Sequence, residues 1–271
     1  MLKLLEIHLS KPVTTKEDKL LHSFRIIQLA LLLLVTFQHS KAQVSIYGKP
    51  GLVSIPTAEW FENNPFGVSY AFVPDAYASD LFRTNLETPK NRARIVGFRA
   101  QFTSFFEVGF NLTQRLEIID QIGIGDRHMD ARFRLLKENN KQPSLVIGVT
   151  VPFSQAPVVN HDYIVATKTL GNFKLSLGYG SPYQMQTGDN SNLFRSIKFE
   201  AKDSPQGNDY LVGFFGGASY QLSDNLGITA EYNTNTINTG VFYKHDFFII
   251  QLNSFEFKAL SLTFSSHFSL Q

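Results

Sequence analysis

Beyond residue 65 the apolar residues recur at every second position, and no stretch carries a helical period; this is the signature of strands. Phe66, Val68, Tyr70 and Phe72 alternate with Gly67, Ser69 and Ala71. The same alternation runs through 96–102, 106–112, 129–135, 145–151, 173–179, 226–232 and 260–268, with further strands over 162–170, 210–220, 239–245 and 247–252. Gly171-Asn172 reads as a two-residue hairpin turn, and 138–142 and 223–225 as further turns. The pattern predicts an all-β chain of about twelve antiparallel strands. Residues 194–201 fit either one more strand or part of a long loop.

Two architectures share this pattern. In a sandwich the apolar face is the core; in a transmembrane barrel it meets lipid and the other face lines the interior. The apolar-face positions hold no Asp, Glu, Lys or Arg, and the opposite face is largely Gly, Ser, Thr and Asn, not the Lys and Glu of a solvated surface. Aromatics near strand ends, Tyr70, Phe72, Tyr179, Tyr220, Tyr232 and Phe268, suit interfacial girdles. The reading is a single antiparallel transmembrane β-barrel over 66–271, preceded by a lead-in or plug segment over 43–65.

The start of the chain differs from the rest. Residues 26–37 form an apolar run of twelve, too short to span a bilayer, which takes roughly 20 residues. Basic residues precede it, and Ser40-Lys41-Ala42 places small residues at the −3 and −1 positions of a cut before Gln43. Residues 1–42 therefore read as a secretory signal peptide, and the acids Glu6, Glu17 and Asp18 upstream fit a start codon placed too early. The whole chain carries 25 Lys/Arg and 23 Asp/Glu; without residues 1–42 these become 19 and 20, a balance of −1. Nucleic acid is thereby excluded as a partner. With no Cys there is no disulfide, no thiolate metal site, no cysteine nucleophile and no lipoprotein anchor. An exported barrel without a lipid anchor predicts the cell outer membrane, with its lipid as the first partner.

Several segments resemble one family. They are Gly51-Leu52-Val53-Ser54-Ile55-Pro56-Thr57-Ala58, Phe105-Phe106-Glu107-Val108-Gly109-Phe110, Asp126-Arg127-His128-Met129-Asp130-Ala131-Arg132-Phe133-Arg134, Pro143-Ser144-Leu145-Val146-Ile147-Gly148, Tyr163-Ile164-Val165-Ala166-Thr167-Lys168, Gly178-Tyr179-Gly180, Phe214-Phe215-Gly216-Gly217-Ala218-Ser219-Tyr220 and Glu231-Tyr232-Asn233. In order and spacing the set is similar to the YjbH-like outer-membrane family linked to exopolysaccharide production, from about residue 48 onward. That resemblance implies a barrel that assists polysaccharide secretion, with polysaccharide or export-machinery proteins as partners. Members often carry two barrel units; this chain has length for one.

Inward-facing polar residues are the candidates for function. Asp126, His128, Asp130, Arg132 and Arg134 share one face of a strand, because residues two apart point the same way. Arg99, Glu107, Asn111, Lys168, Lys174 and Glu231 are expected inward on their own strands. Such a set either neutralises itself inside a narrow barrel or lines a track for a sugar chain or small solute. Asp126, His128 and Asp130 lack the further ligands a metal needs. Ser265, His267 and Ser269 share a face, as in barrel hydrolases that use Ser and His, but an oriented base and an oxyanion hole are not legible. His245-Asp246 reads as a solvated turn. No catalytic, metal or cofactor site is assigned. The segment 51–61, with Pro56, Thr57 and Trp60, fits either a plug within the barrel or a cover over its mouth, with Thr57 as a possible cap of a short helical turn. Residues 181–208 read as an external loop. The expected function is a non-enzymatic accessory in exopolysaccharide production or export; a small-solute channel and a lipid- or sugar-modifying hydrolase are the alternatives.

Overall fold

The computed structural model describes residues 35–36, 43–78, 92–116, 126–151, 159–187, 197–202 and 210–270. The chain divides into two units, Met1–Thr36 with Leu270–Gln271, and Phe37–Ser269. The first shows a two-residue strand, Val35–Thr36; the rest of the expected signal segment lies outside the described residues. The second unit is the barrel.

Twelve strands form its wall. In chain order they begin with β1 (Phe66–Val73), β2 (Ala93–Gln101), β3 (Phe106–Arg115), β4 (Asp126–Leu136), β5 (Ser144–Val151), β6 (Tyr163–Leu170) and β7 (Phe173–Gly180). A separate hairpin comes next, β8 (Tyr183–Thr187) with β9 (Ile197–Ala201). The wall resumes with β10 (Gly213–Gln221), β11 (Leu226–Tyr232), β12 (Ile237–Lys244), β13 (Phe248–Phe255) and β14 (Ala259–Leu270). Each wall strand pairs antiparallel with its neighbours, β7 meeting β10 across the hairpin. β14 returns to β1 with Leu262 opposite Phe72 and Phe268 opposite Phe66, so the sheet closes and leaves no open edge.

The surface is inverted relative to a water-soluble protein. Exposed side chains include Leu177 (65%) and Phe214 (71%), with Phe98, Leu175, Leu252 and Leu262 on the same outer face. Their neighbours in sequence, such as Arg99, Ser176, Gln251, Asn253, Ser261 and Thr263, are buried inside. An apolar belt around a polar interior is stable only against hydrocarbon. Among the described residues no helix is long and apolar enough to cross a membrane; the crossing is made by strands.

The two ends differ. At one end the connections are short: 102–105, 137–143, 171–172, 222–225 and 245–247. Gly171 takes φ +60° at the first position of its two-residue turn, as a II′ hairpin requires. The other end carries the long connections 74–92, 116–125, 152–162 and 181–212, beside the short turns 233–236 and 256–258. The segment 194–201 contributes β9 to the hairpin outside the wall, with Phe199 73% exposed; the remainder of the expected external loop, 188–196 and 203–209, lies outside the described residues. β13 runs to Phe255, three residues past its expected end. Asn253 and Phe255 face inward there and continue the lumen face of the strand.

Candidate functional site

Residues 43–61 fill the interior. The segment folds on itself: Gly51 N–H donates to the Gln43 carbonyl (3.0 Å), Ile46 N–H to Val53 (2.8 Å) and Thr57 N–H to Pro50 (2.9 Å). Gly48 has φ +70°, and a Cβ there would meet Asn111 Oδ1 at 2.4 Å and the Gly97 backbone at 3.3 Å. Two glycines thus let plug and wall backbones touch. No helix forms around Thr57; its Oγ1 accepts only the Glu59 N–H, at 3.4 Å. The interior apolar clusters are shared between plug and wall. Ile46, Tyr47 and Val53 pack with Ala71, Val73, Ala93, Ile95 and Phe255. Leu52, Ile55 and Ala58 pack with Val146, Tyr163, Val165 and Phe215, with Trp60 alongside.

The polar wall residues form sockets for the plug. Glu231 accepts N–H bonds from Val53 (2.8 Å), Ser54 (2.9 Å) and Ile55 (3.3 Å), a bond from the Ser54 hydroxyl, and one from Asn238 Nδ2 (3.0 Å). All partners are donors, so the site fits an ionised carboxylate. Glu107 lies between Arg99 (2.8 Å) and Arg132 (2.6 Å). Arg132 also donates to the plug carbonyls of Thr57 (2.8 Å) and Glu59 (3.2 Å). Lys49 of the plug reaches Asp130 (2.8 Å), which also receives Asn111 (3.1 Å) and Thr150 (3.2 Å). His128 Nε2 stands 3.7 Å from Asp130. Arg99 and His267, beside one another, both pack on the Phe61 ring, at 4.1 and 3.9 Å from its centre.

Of the expected lumen set, Arg99, Glu107, Asn111, His128, Asp130, Arg132 and Glu231 point inward and are buried. Arg134 sits at the short-turn mouth, where it pairs with Glu62 and lies 4.9 Å above the Trp60 ring. The Asp126 side chain lies outside the described residues. Lys168 corrects the expectation: it shares its face with exposed Ile164, on the outside of β6, and reaches Glu138 at the rim (3.4 Å). A long cationic side chain at the belt's edge extends to water in this way. Pro56, Thr57 and Trp60 lie in the barrel with the rest of the segment. Residues not anticipated also hold it: Ser144 donates to the Ala58 carbonyl (2.8 Å), Thr167 accepts the Ala58 N–H (2.8 Å) and Gln251 donates to Leu52 (3.0 Å). For Ser144 and Gln251 inward parity was the available signal; for Thr167 the inward placement expected of Lys168 pointed the other way.

The short-turn mouth remains open. One cavity of about 520 Å³ is lined by Glu59, Trp60, Glu62, Arg134, Lys137 and Lys174, among others. An adjoining one of about 700 Å³, lined by Asn172, Phe173, Gln221, Asp224, Lys244 and Asp246, shares Thr169 and Lys174 with it. Burial raises the Glu62 carboxyl, but Arg134 and Lys137 outweigh it and hold the group below the usual range. At the long-loop end, burial pulls Lys202 down to about 8 despite Asp162, 3.7 Å away. Tyr77 donates to Glu256 (2.7 Å); burial first, then that carboxylate, push its hydroxyl up to about 12. Among the described residues no group of three or more His, Asp or Glu is placed to hold a metal. His267 faces Arg99 across 3.2 Å through Nδ1; a cation there offers none of the carboxylate support an activating histidine uses.

No curated protein matches the chain. Among solved structures, a KdgM porin aligns with a TM-score of 0.42 at 10% identity, over 76% of this chain and 99% of the porin chain. A family model described as exopolysaccharide biosynthesis protein YbjH matches residues 43–250, which takes in the plug and the wall as far as β13. The chain belongs to that YjbH family of exopolysaccharide biosynthesis proteins.

Proposed function

We propose that the protein is a plugged, non-enzymatic barrel of the outer membrane that assists exopolysaccharide production or export without being the conduit itself. The observation that carries this reading is the filled lumen: residues 43–61 take up the apolar clusters and the charged sockets of the wall together. The apolar belt supports membrane residence, and the short-turn/long-loop asymmetry supports turns in the periplasm and loops outside. The polysaccharide role comes from the family. The non-enzymatic reading is supported by the interior chemistry, where Glu107, Asp130, Glu231, Arg99 and Arg132 are engaged with wall or plug groups. Contact with glycan or with export proteins then falls at the mouths, the short-turn end offering the cavities beside Glu59, Trp60 and Lys174.

The test is deletion of the gene, with surface polysaccharide and uptake of small solutes measured side by side. The expected result is reduced or altered polysaccharide with unchanged permeability. Unchanged polysaccharide together with lost uptake of one solute would replace this reading with a channel. Purified protein that hydrolyses lipid or glycan, and loses that activity on His267→Ala, would replace it with an enzyme.

A further inference from the structure

The first residue of the plug poses an electrostatic problem. Gln43 is 2% exposed, its carbonyl is bound by Gly51, and Val44 beside it packs on Phe61. Three observations set the start of the working chain at this residue. Ser40-Lys41-Ala42 supplies the small residues of a leader cut. The family match begins at residue 43. From Gln43 to Ala58 every residue but Gly48 is buried. Gln43 is buried in the uncut chain, and a cut before it leaves an α-ammonium beside the buried plug and wall groups. Burying an unpaired charge costs several kcal/mol. The inward carboxylates of the wall are already committed: Glu107 to two arginines, Asp130 to Lys49 and Glu231 to the 53–55 turn. The Gln43 side-chain amide adds to the difficulty, since neither Oε1 nor Nε2 has a hydrogen-bond partner.

We propose that the chain is cut between Ala42 and Gln43 and that the new terminal glutamine closes to pyroglutamate, so that the plug begins with a neutral ring. The α-nitrogen attacks the side-chain Cδ. The N–Cδ bond forms, the Cδ–Nε2 bond breaks, and a proton passes from the α-nitrogen to the departing nitrogen, which leaves as ammonia. No oxidant, metal or co-reactant is consumed. The product has neither an ammonium nor a side-chain NH₂, and the former Oε1 stays as a neutral ring carbonyl, so one reaction removes the charge and one of the two unpartnered amide groups. The closed barrel admits no catalyst to residue 43, so the ring forms after the leader is cut and before the barrel closes around the plug. This inference is independent of the polysaccharide role.

The full chain, expressed with its leader, is extracted from outer membranes, and free amines are labelled before digestion so that cyclisation during handling is not scored. Mass spectrometry then reads the N-terminal peptide. The expected peptide starts at residue 43, carries no label, and is lighter than the linear form by one ammonia. A labelled amine on Gln43, or a chain starting elsewhere, overturns the proposal. Gln43→Ala supplies the second arm: it is cut at the same bond, keeps its amine, and is expected to lose protease protection of residues 43–65 while the barrel still runs as a folded species without boiling. Protection equal to that of the cyclised protein overturns the assigned role of the neutral end.

Discussion

Glu231→Ala isolates the seating of the plug from the folding of the wall. The Glu231 carboxylate receives three backbone N–H groups and the hydroxyl of residues 53–55, all buried, together with Asn238. Removing it orphans those donors, and a buried donor without a partner costs about 1–3 kcal/mol. Asn238 and Asn233 donate to Ser54 Oγ (3.5 and 3.2 Å) and supply no acceptor for those donors. A net loss of about 3–5 kcal/mol is the expectation for breaking such a buried charged site. At 1.4 kcal/mol per decade, about 4 kcal/mol raises the population of unseated plug roughly 10³-fold. The backbone pairing of β11 with β10 and β12 is untouched, so the barrel itself persists. The assays are limited proteolysis of 43–65, conductance in planar bilayers, and the gel shift on boiling. Protease cutting and intermittent conductance should appear while the gel shift stays. Glu231→Gln, which keeps one accepting oxygen, should fall between. A Glu231→Ala protein as protected and as silent as wild type would refute the plug-and-socket account.

Leu177→Arg, in mid-strand on the outer face and 65% exposed, should lower the folding stability in lipid by roughly 2–4 kcal/mol, measured by denaturant titration in vesicles; a change within about 0.5 kcal/mol would mean that the face meets water. Gly97→Val places a Cβ 2.5 Å from Ser69 Oγ and 3.1 Å from the Gly48 backbone, and should push the plug out of register, read as faster proteolysis at 43–65 with the barrel retained. Tyr77, with its hydroxyl raised to about 12, stabilises the folded state in full below the unfolded value of about 10, and that contribution is lost as pH rises through about 12. The late-titrating tyrosinate absorbance should fall by one tyrosine in Tyr77→Phe; no change would refute the assignment.

The wall was legible because a barrel strand in lipid writes its two faces as strict alternation, and eight runs kept their phase from sequence to structure. Lys168 escaped because alternation names two faces, not which one a rim cation uses. A long side chain near a strand end reaches water from either. The plug was harder. Its chain has no period, and its partners lie roughly 180 residues away, as Glu231 does from Ser54. Thr167 was hidden by the inward placement expected of Lys168 beside it, and for Ser144 and Gln251 nothing local distinguishes a socket from pore lining. The β8–β9 hairpin stands outside the wall because β7 pairs directly with β10, a choice of neighbours that strand-by-strand reading cannot make.

A barrel that turns its apolar face to lipid has no hydrophobic core of its own. The two larger apolar clusters inside this one are shared between plug and wall: Val53 joins Ala71 and Ile95, and Leu52 and Ile55 join Val146, Val165 and Phe215. Between them stand the charged sockets at Asp130, Arg132 and Glu231. A sugar chain threading the lumen would have to replace both kinds of partner at once. Its hydroxyls can satisfy a carboxylate or a guanidinium, but they leave Val146 and Phe215 facing polar groups. About twelve strands enclose little more than one filled layer of side chains, so plug and glycan cannot share the space. The interior is therefore matched to residues 43–61, and under the proposed role a glycan would meet the protein at the mouths, where Lys174, Glu59 and Trp60 meet solvent.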